Sequence, residues 1–312
     1  MSKQIALRDA YGKALAKLGA QNPKVVALET DVGSSSKSCV FGAQFPDRYF
    51  NVGISELDMN AMAAGLAAGG FIPFTNTFAV FMTLRGGDAI NSLICYDNPN
   101  VKLAGTYCGL SDSYDGASHH ATSDLALVCS LPNMTVISPC DGVETEKAVF
   151  AAAAHQGPVY LRLSRAPMPV LMDENAPFEI GKGVVVHPGS DLTIVATGYM
   201  VHKALEAAQQ LEKEGISARV VNMHTLKPLD EDLLVKCAEE TGAVLTVEEH
   251  SLHGGLGSLV SAALAQKAPV SMEMVGLDCY AESGDYEQLL SKYGLDASAI
   301  QKKAVALLKR KQ

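Results

Sequence analysis

Each absence from this sequence removes a class of function. No apolar run reaches the roughly 18 residues that a membrane-crossing helix needs, so a membrane is not an expected partner. The opening MSKQIALRDAYG also lacks the unbroken apolar core of a signal peptide, which makes the cytoplasm the expected location. Net positive charge is missing as well: 25 Lys and Arg stand against 34 Asp and Glu, a formal charge of −9. The one dense basic cluster, KKAVALLKRKQ at the C-terminus, is most simply a solvated helix end. Such a surface repels phosphate backbones, and nucleic acid is not expected to bind. The seven cysteines, at 39, 95, 108, 129, 140, 237 and 279, include no CxxC pair. They fit reduced, mostly buried thiols and give no sign of a disulfide framework or a zinc site. Low-complexity stretches are absent too, and 48% hydrophobic against 19% charged residues is the composition of a chain that folds.

What is present is alternation. IALRDAYGKALAKL, residues 5–18, has apolar side chains at helical spacing, and KVVALETD is a short β-rich run ending in polar residues. RYFNVGI, ISELDMNAMAAGLAAGG, GFIPFTNTFAVF, GGDAINSLICYD and VKLAGTY continue the series of strands and helices. Around residues 166–190 the pattern yields to Pro, Gly and acidic residues, and then DLTIVATG, MVHKALEAAQQLEKEG, SARVVNM and their successors resume it. A chain of 312 residues favours two domains. The expected fold is α/β: two three-layer αβα domains with mostly parallel sheets, over residues 1–170 and 191–312, joined by a linker over 171–190. In such sheets ligands sit beyond the carboxyl ends of the strands, which directs attention to residues 29–36, 54–56, 107–120 and 162–165.

Several residues there admit a structural and a chemical reading. Ser55 followed by Asp58 fits a capping box, which leaves Glu56 surplus to the cap at the threshold of a helix whose Gly65, Gly69 and Gly70 permit close packing. Phe78 and Phe81, three apart on an apolar segment, could be plain core. Asp31 could be a turn residue at a strand end. Asp115, His119 and the adjacent His120 invite a metal, but no third ligand is near in a Gly-containing loop; His250 and His253 invite the same reading and suit loop histidines at a domain contact better. No metal site is expected within this chain.

The motifs ALRDAYGKALAKLG, ISELDMNAMAAGLAAGGFIPFTNTFAVF, TYCGLSDSYDGASHH, DGVETEKAVF, YLRLSR, TLKPLD and VEEHSLHGGLG occur in series over nearly the whole chain. In that order they resemble the pyrimidine-binding and C-terminal domains of transketolases, which use thiamine diphosphate. The resemblance implies that Glu56 is the cofactor-activating glutamate, that Phe78 and Phe81 line the pyrimidine pocket, and that Asp31 lies near the thiazolium ring. It implies further that Asp115 contacts a substrate hydroxyl and that His119 handles a proton near the reacting carbonyl oxygen. Arg8, Ser35 and Arg165 match ligands of a sugar's terminal phosphate. Tyr107 stands where the family usually has a histidine in that anion site, so a sulfonate or a differently placed phosphate could be the preferred tail.

The Asp and Asn of a GDG-to-N diphosphate motif, which hold Mg2+ or Ca2+ in this family, are not found. GGDAIN lies in a helical segment in the wrong domain order, and HGGLGS is a lone Gly-rich helix start. The chain therefore resembles the second half of a transketolase made as a separate subunit, inactive alone. It would need an N-terminal subunit carrying the diphosphate domain, in an α2β2 heterotetramer acting on sugar phosphates. Rival readings are the β subunit of a 2-oxo-acid dehydrogenase decarboxylase component, a deoxyxylulose-phosphate synthase fragment, and a binding or regulatory protein that kept the fold without the chemistry.

Overall fold

Val25–Glu29, Lys102–Thr106, Val159–Leu163 and Leu192–Ala196 are buried along their whole length, as strands covered on both faces must be. The structure, a computed structural model, describes residues 4–311. Its larger sheet has seven strands in the order Thr225–Lys227, Thr135–Ile137, Val159–Leu163, Lys102–Thr106, Ile72–Phe78, Val25–Glu29, Tyr49–Asn51. All its pairings are parallel except that of Thr225–Lys227 with Thr135–Ile137. The second sheet has five strands in the order Ser271–Leu277, Ala243–Ser251, Leu192–Ala196, Ala218–Asn222, Val184–His187, and only Val184–His187 runs antiparallel to its neighbour. The α/β architecture with mostly parallel sheets is as the alternation predicts.

Local chemistry explains several boundaries. The helix Leu7–Gln21 starts two residues later than its periodicity indicates, because Gln4–Ala6 pairs antiparallel with Pro167–Pro169. Asp141, Asp230, Asp285 and Asp296 each accept a backbone N–H in the first turn of the helix that follows, and Gly242, at φ 63°, closes the helix Glu231–Thr241. Segment GGDAINSLICYD is helical, but its later part, Ile90–Cys95, winds in wider π turns. Within residues 171–190, Val184–His187 forms the edge strand of the second sheet.

The halves are fused. One apolar cluster runs from Val26 and Leu103 of the larger sheet to Val221, Met223 and Leu256 of the second half. Lys102 shows the care taken with polarity in such a core: its buried ammonium donates to the carbonyls of His155 and Gly157 at 2.8 and 2.7 Å, and burial lowers its pKa to about 7.

Candidate active site

The carboxyl ends of the larger sheet's strands gather most of the residues singled out above. Glu56 is the first residue of the helix Glu56–Ala68 and is buried, 4% exposed. The expected capping box is not formed: the Ser55 hydroxyl donates backwards to the Val52 carbonyl at 2.9 Å, across the turn at Gly53 (φ 74°), and makes no cap hydrogen bond to the helix. No hydrogen bond to the Glu56 carboxylate is found among the described residues; its nearest cation is Arg85, with Nη1 4.0 Å away. Arg85 in turn lies over the Phe81 ring at 4.3 Å. Phe81 and Phe78 are stacked with centroids 5.8 Å apart, and His119 meets Phe81 edge-on at 5.1 Å. His119 Nδ1 and the Ser118 hydroxyl are 2.9 Å apart.

A second group adjoins the first through Tyr107, whose ring stacks on Phe78 at 4.4 Å. Arg8 and Arg165 approach the Tyr107 ring, at 5.1 and 5.3 Å from its centroid. Arg8 Nη1 donates to the Tyr107 hydroxyl and, at 3.1 Å, to the Ser35 carbonyl. Ser35 thus enters the group through its backbone. Asp115 is exposed at the end of the turn Ser113–Asp115, before Gly116 at φ 76°. Asp31 is exposed and accepts from Asn51 Nδ2 at 3.0 Å; no hydrogen bond or ion pair among the described residues joins it to the aromatic group. Asp31 and Tyr107 have φ of 63° and 60°, strained values for side-chain-bearing residues, and both follow strand ends where the backbone must turn toward the site.

The loop that bears Asp115 and His119 is tied at its base. Gly109 and Ala121 exchange backbone hydrogen bonds of 3.0 Å, and Leu110 N–H donates to Glu249 of the second sheet. Arg162 grips Asp124 through Nε at 2.8 Å and Nη2 at 3.1 Å, and Nη2 also donates to the carbonyls of Ala121 and Glu249. Burial would raise the Asp124 pKa, but the Arg162 charge and hydrogen bonds outweigh it and hold it below the usual carboxylate range. His250, in the strand Ala243–Ser251, is a core histidine: Nε2 faces Ala126 N–H at 3.3 Å and Nδ1 faces the Ser251 carbonyl at 2.8 Å. His253 is exposed.

Two family descriptions match the chain: the transketolase pyrimidine binding domain over residues 3–169 and the transketolase C-terminal domain over residues 181–300. The chain belongs to the transketolase family. It is 39% identical over 306 residues to a 6-deoxy-6-sulfo-D-fructose transketolase subunit of a Clostridium species, a match covering 98% of this chain and 95% of that one. Against the transketolase of Rattus norvegicus it is 39% identical over 301 residues, covering 95% of this chain but 48% of the rat protein. Among solved structures, a split-gene transketolase determined as an inactive β4 tetramer superposes with a TM-score of 0.93 at 47% identity, covering 99% of this chain and 100% of that one. The C-terminal half of a transketolase is therefore what this sequence encodes.

Four neighbours of this group of residues escape a reading by motif. Arg85 follows the aromatic segment directly, and its position in TLRGG was the only signal. Asp112 lies inside the quoted loop, but its complete burial is a tertiary fact. Asp124 and Arg162 are 38 residues apart and carry no local sign of their pairing.

Proposed function

We propose that this chain is the C-terminal subunit of a two-chain transketolase, moving a two-carbon ketol unit from a ketose with an anionic tail to an aldose. The observation that carries the reading is Glu56, a buried carboxylate without a hydrogen-bond partner among the described residues, near a stacked aromatic pair. A free buried acceptor beside flat apolar rings fits the aminopyrimidine of thiamine diphosphate. When bound, that cofactor supplies the carbon nucleophile and electron sink of ketol transfer. Glu56 would hold the ring nitrogen through a hydrogen bond strengthened by burial. Phe78 and Phe81 would face the ring and exclude water, and Asp31 would lie on the thiazolium side. His119 would hold or move a proton at the substrate's carbonyl oxygen, and Asp115 would take a sugar hydroxyl. Arg8, Ser35 and Arg165, with Tyr107, would hold the tail; the sulfo-sugar relative supports a tail not confined to phosphate.

A separate N-terminal subunit would bring the diphosphate domain with its Mg2+ or Ca2+, and the working enzyme would be a cytoplasmic α2β2 assembly. In that division residues 1–170 bind the pyrimidine, 171–190 connect, and 191–312 complete the C-terminal domain. Ile54 and Leu57, 75% and 47% exposed on either side of Glu56, offer an apolar face for a second copy of this chain. The relative solved as an inactive β4 tetramer supports both self-association and the need for a partner. The test is ketol transfer by the complex with a co-expressed diphosphate-domain subunit, thiamine diphosphate and Mg2+. Glu56→Gln should lower kcat/KM by about two to three orders of magnitude while leaving the fold intact. Full activity of the variant, or of the purified chain alone, would refute the reading. Decarboxylation of a 2-oxo acid by the complex would move the assignment to the dehydrogenase β subunit.

A further inference from the structure

The tail pocket contains one residue that the proposed chemistry leaves idle. Asp112 is fully buried, and neither carboxylate oxygen has a hydrogen-bond partner among the described residues. Its Oδ1 lies 3.5 Å from Arg165 Nη1, the same nitrogen that donates to the Asp112 carbonyl at 3.3 Å. Burial, and then the neighbouring Asp115 carboxyl, push its pKa up to about 7, while the charges of Arg165 and Arg8 pull it down. A buried acid with no donor bound to it is costly for packing alone. Arg8 is also part-spent, since its Nη1 is committed to Tyr107 and Ser35 while its Nε has no partner among the described residues.

We propose that Asp112 sets the charge this pocket accepts: it counters one of the two guanidinium charges, fitting the site to a monoanionic sugar tail and against a phosphate dianion. The proposal rests on the reading of Arg8, Tyr107 and Arg165 as the tail pocket. A phosphate monoester carries about −1.5 to −2 at pH 7, and two arginine forks match it well. When Asp112 is ionised, its negative charge at short range penalises the second negative charge of the tail beyond the first. Sulfonates and carboxylates, with a single charge, escape that penalty. Tyr107 acts in the same direction, because its neutral hydroxyl, held by Arg8, adds no positive charge to reward a second negative charge on the tail.

The experiment is calorimetric titration of the full chain at pH 8 with methanesulfonate and with methyl phosphate, for wild type and Asp112→Asn. At that pH Asp112 is mostly ionised and methyl phosphate is a dianion. The wild type should bind methanesulfonate at least as tightly as methyl phosphate, and Asp112→Asn should shift the ratio toward methyl phosphate by about tenfold or more. If Asp112 only orients Arg165, both affinities fall together and the ratio stays put, which overturns the proposal. So does a wild type that prefers methyl phosphate, or one that binds neither anion. Should the variant fail to fold, the wild-type preference decides alone. All the binding groups belong to this chain, so no partner is required. A reconstituted complex without ketol transfer would sink the transferase reading and leave this anion preference standing.

Discussion

Removing the Asp124 carboxylate charge should unseat the loop that bears Asp115 and His119 from below. In Asp124→Asn the Arg162 guanidinium, 2% exposed, keeps its bonds to the carbonyls of Ala121 and Glu249 but loses its counter-charge, and the Tyr160 hydroxyl loses an anionic acceptor at 2.9 Å. Breaking one side of a buried ion pair costs about 3–5 kcal/mol, because the surviving charge remains desolvated. At roughly 2 °C per kcal/mol for a chain of this size, the thermal midpoint should fall by about 6–10 °C in differential scanning fluorimetry. A double variant, Asp124→Leu with Arg162→Met, removes both charges at once. It should be less destabilised than the sum of its single variants by about 2–3 kcal/mol. A drop of under about 2 °C for Asp124→Asn, or strict additivity in the double variant, would show that the pair does not anchor this loop.

Other consequences are open to direct measurement. Gly109 has φ 60°, and a Cβ there would collide with the Glu249 side chain; Gly109→Ala should destabilise by about 1–3 kcal/mol, seen as a lower thermal midpoint, and an unchanged midpoint would contradict the close approach. If the chain self-associates through the proposed apolar face, Ile54→Asp combined with Leu57→Asp should lower its mass in light scattering while moving the midpoint of an isolated protomer by no more than about 1 °C, and an unchanged mass would refute that face. Burial lowers the His224 pKa to about 4, against about 6.5 unfolded. The unfolded chain therefore takes up that proton first, so His224 contributes stability above pH 6.5 that is lost as pH falls toward 4. Between pH 7.5 and 5 the wild type should lose about 2 kcal/mol more than His224→Gln in parallel denaturation curves; equal losses would refute the assignment.

The sequence made the sheets legible because buried parallel strands are written as continuous apolar runs; Val25–Glu29 and Leu192–Ala196 need no partner to be recognised. The Asp caps at Asp141 and Asp230 are local bonds, yet no reading above singled them out. Glu56 stood out because a charge at the mouth of an apolar helix contradicts its surroundings. The Ser55 cap misled: the pattern predicts a hydroxyl oxygen accepting from the helix, but tertiary geometry has the hydroxyl donating backwards to the Val52 carbonyl. Asp112 was hidden for a related reason, as an acid in a polar loop looks solvated until tertiary packing buries it beside Arg165. Thr225–Lys227 is too short and too polar to announce itself as a strand, and its partner lies nearly ninety residues earlier.

That small strand has a consequence for the chain's divisibility. It leaves the second half of the sequence to seal the rim of the first half's sheet, beside Thr135–Ile137. A fragment made without it would display bare N–H and C=O groups along that rim, an invitation to stack on its own copies. Severing the chain between its sheets would thus leave the first half with an unsealed rim, so its sheet is finished only by the half that follows.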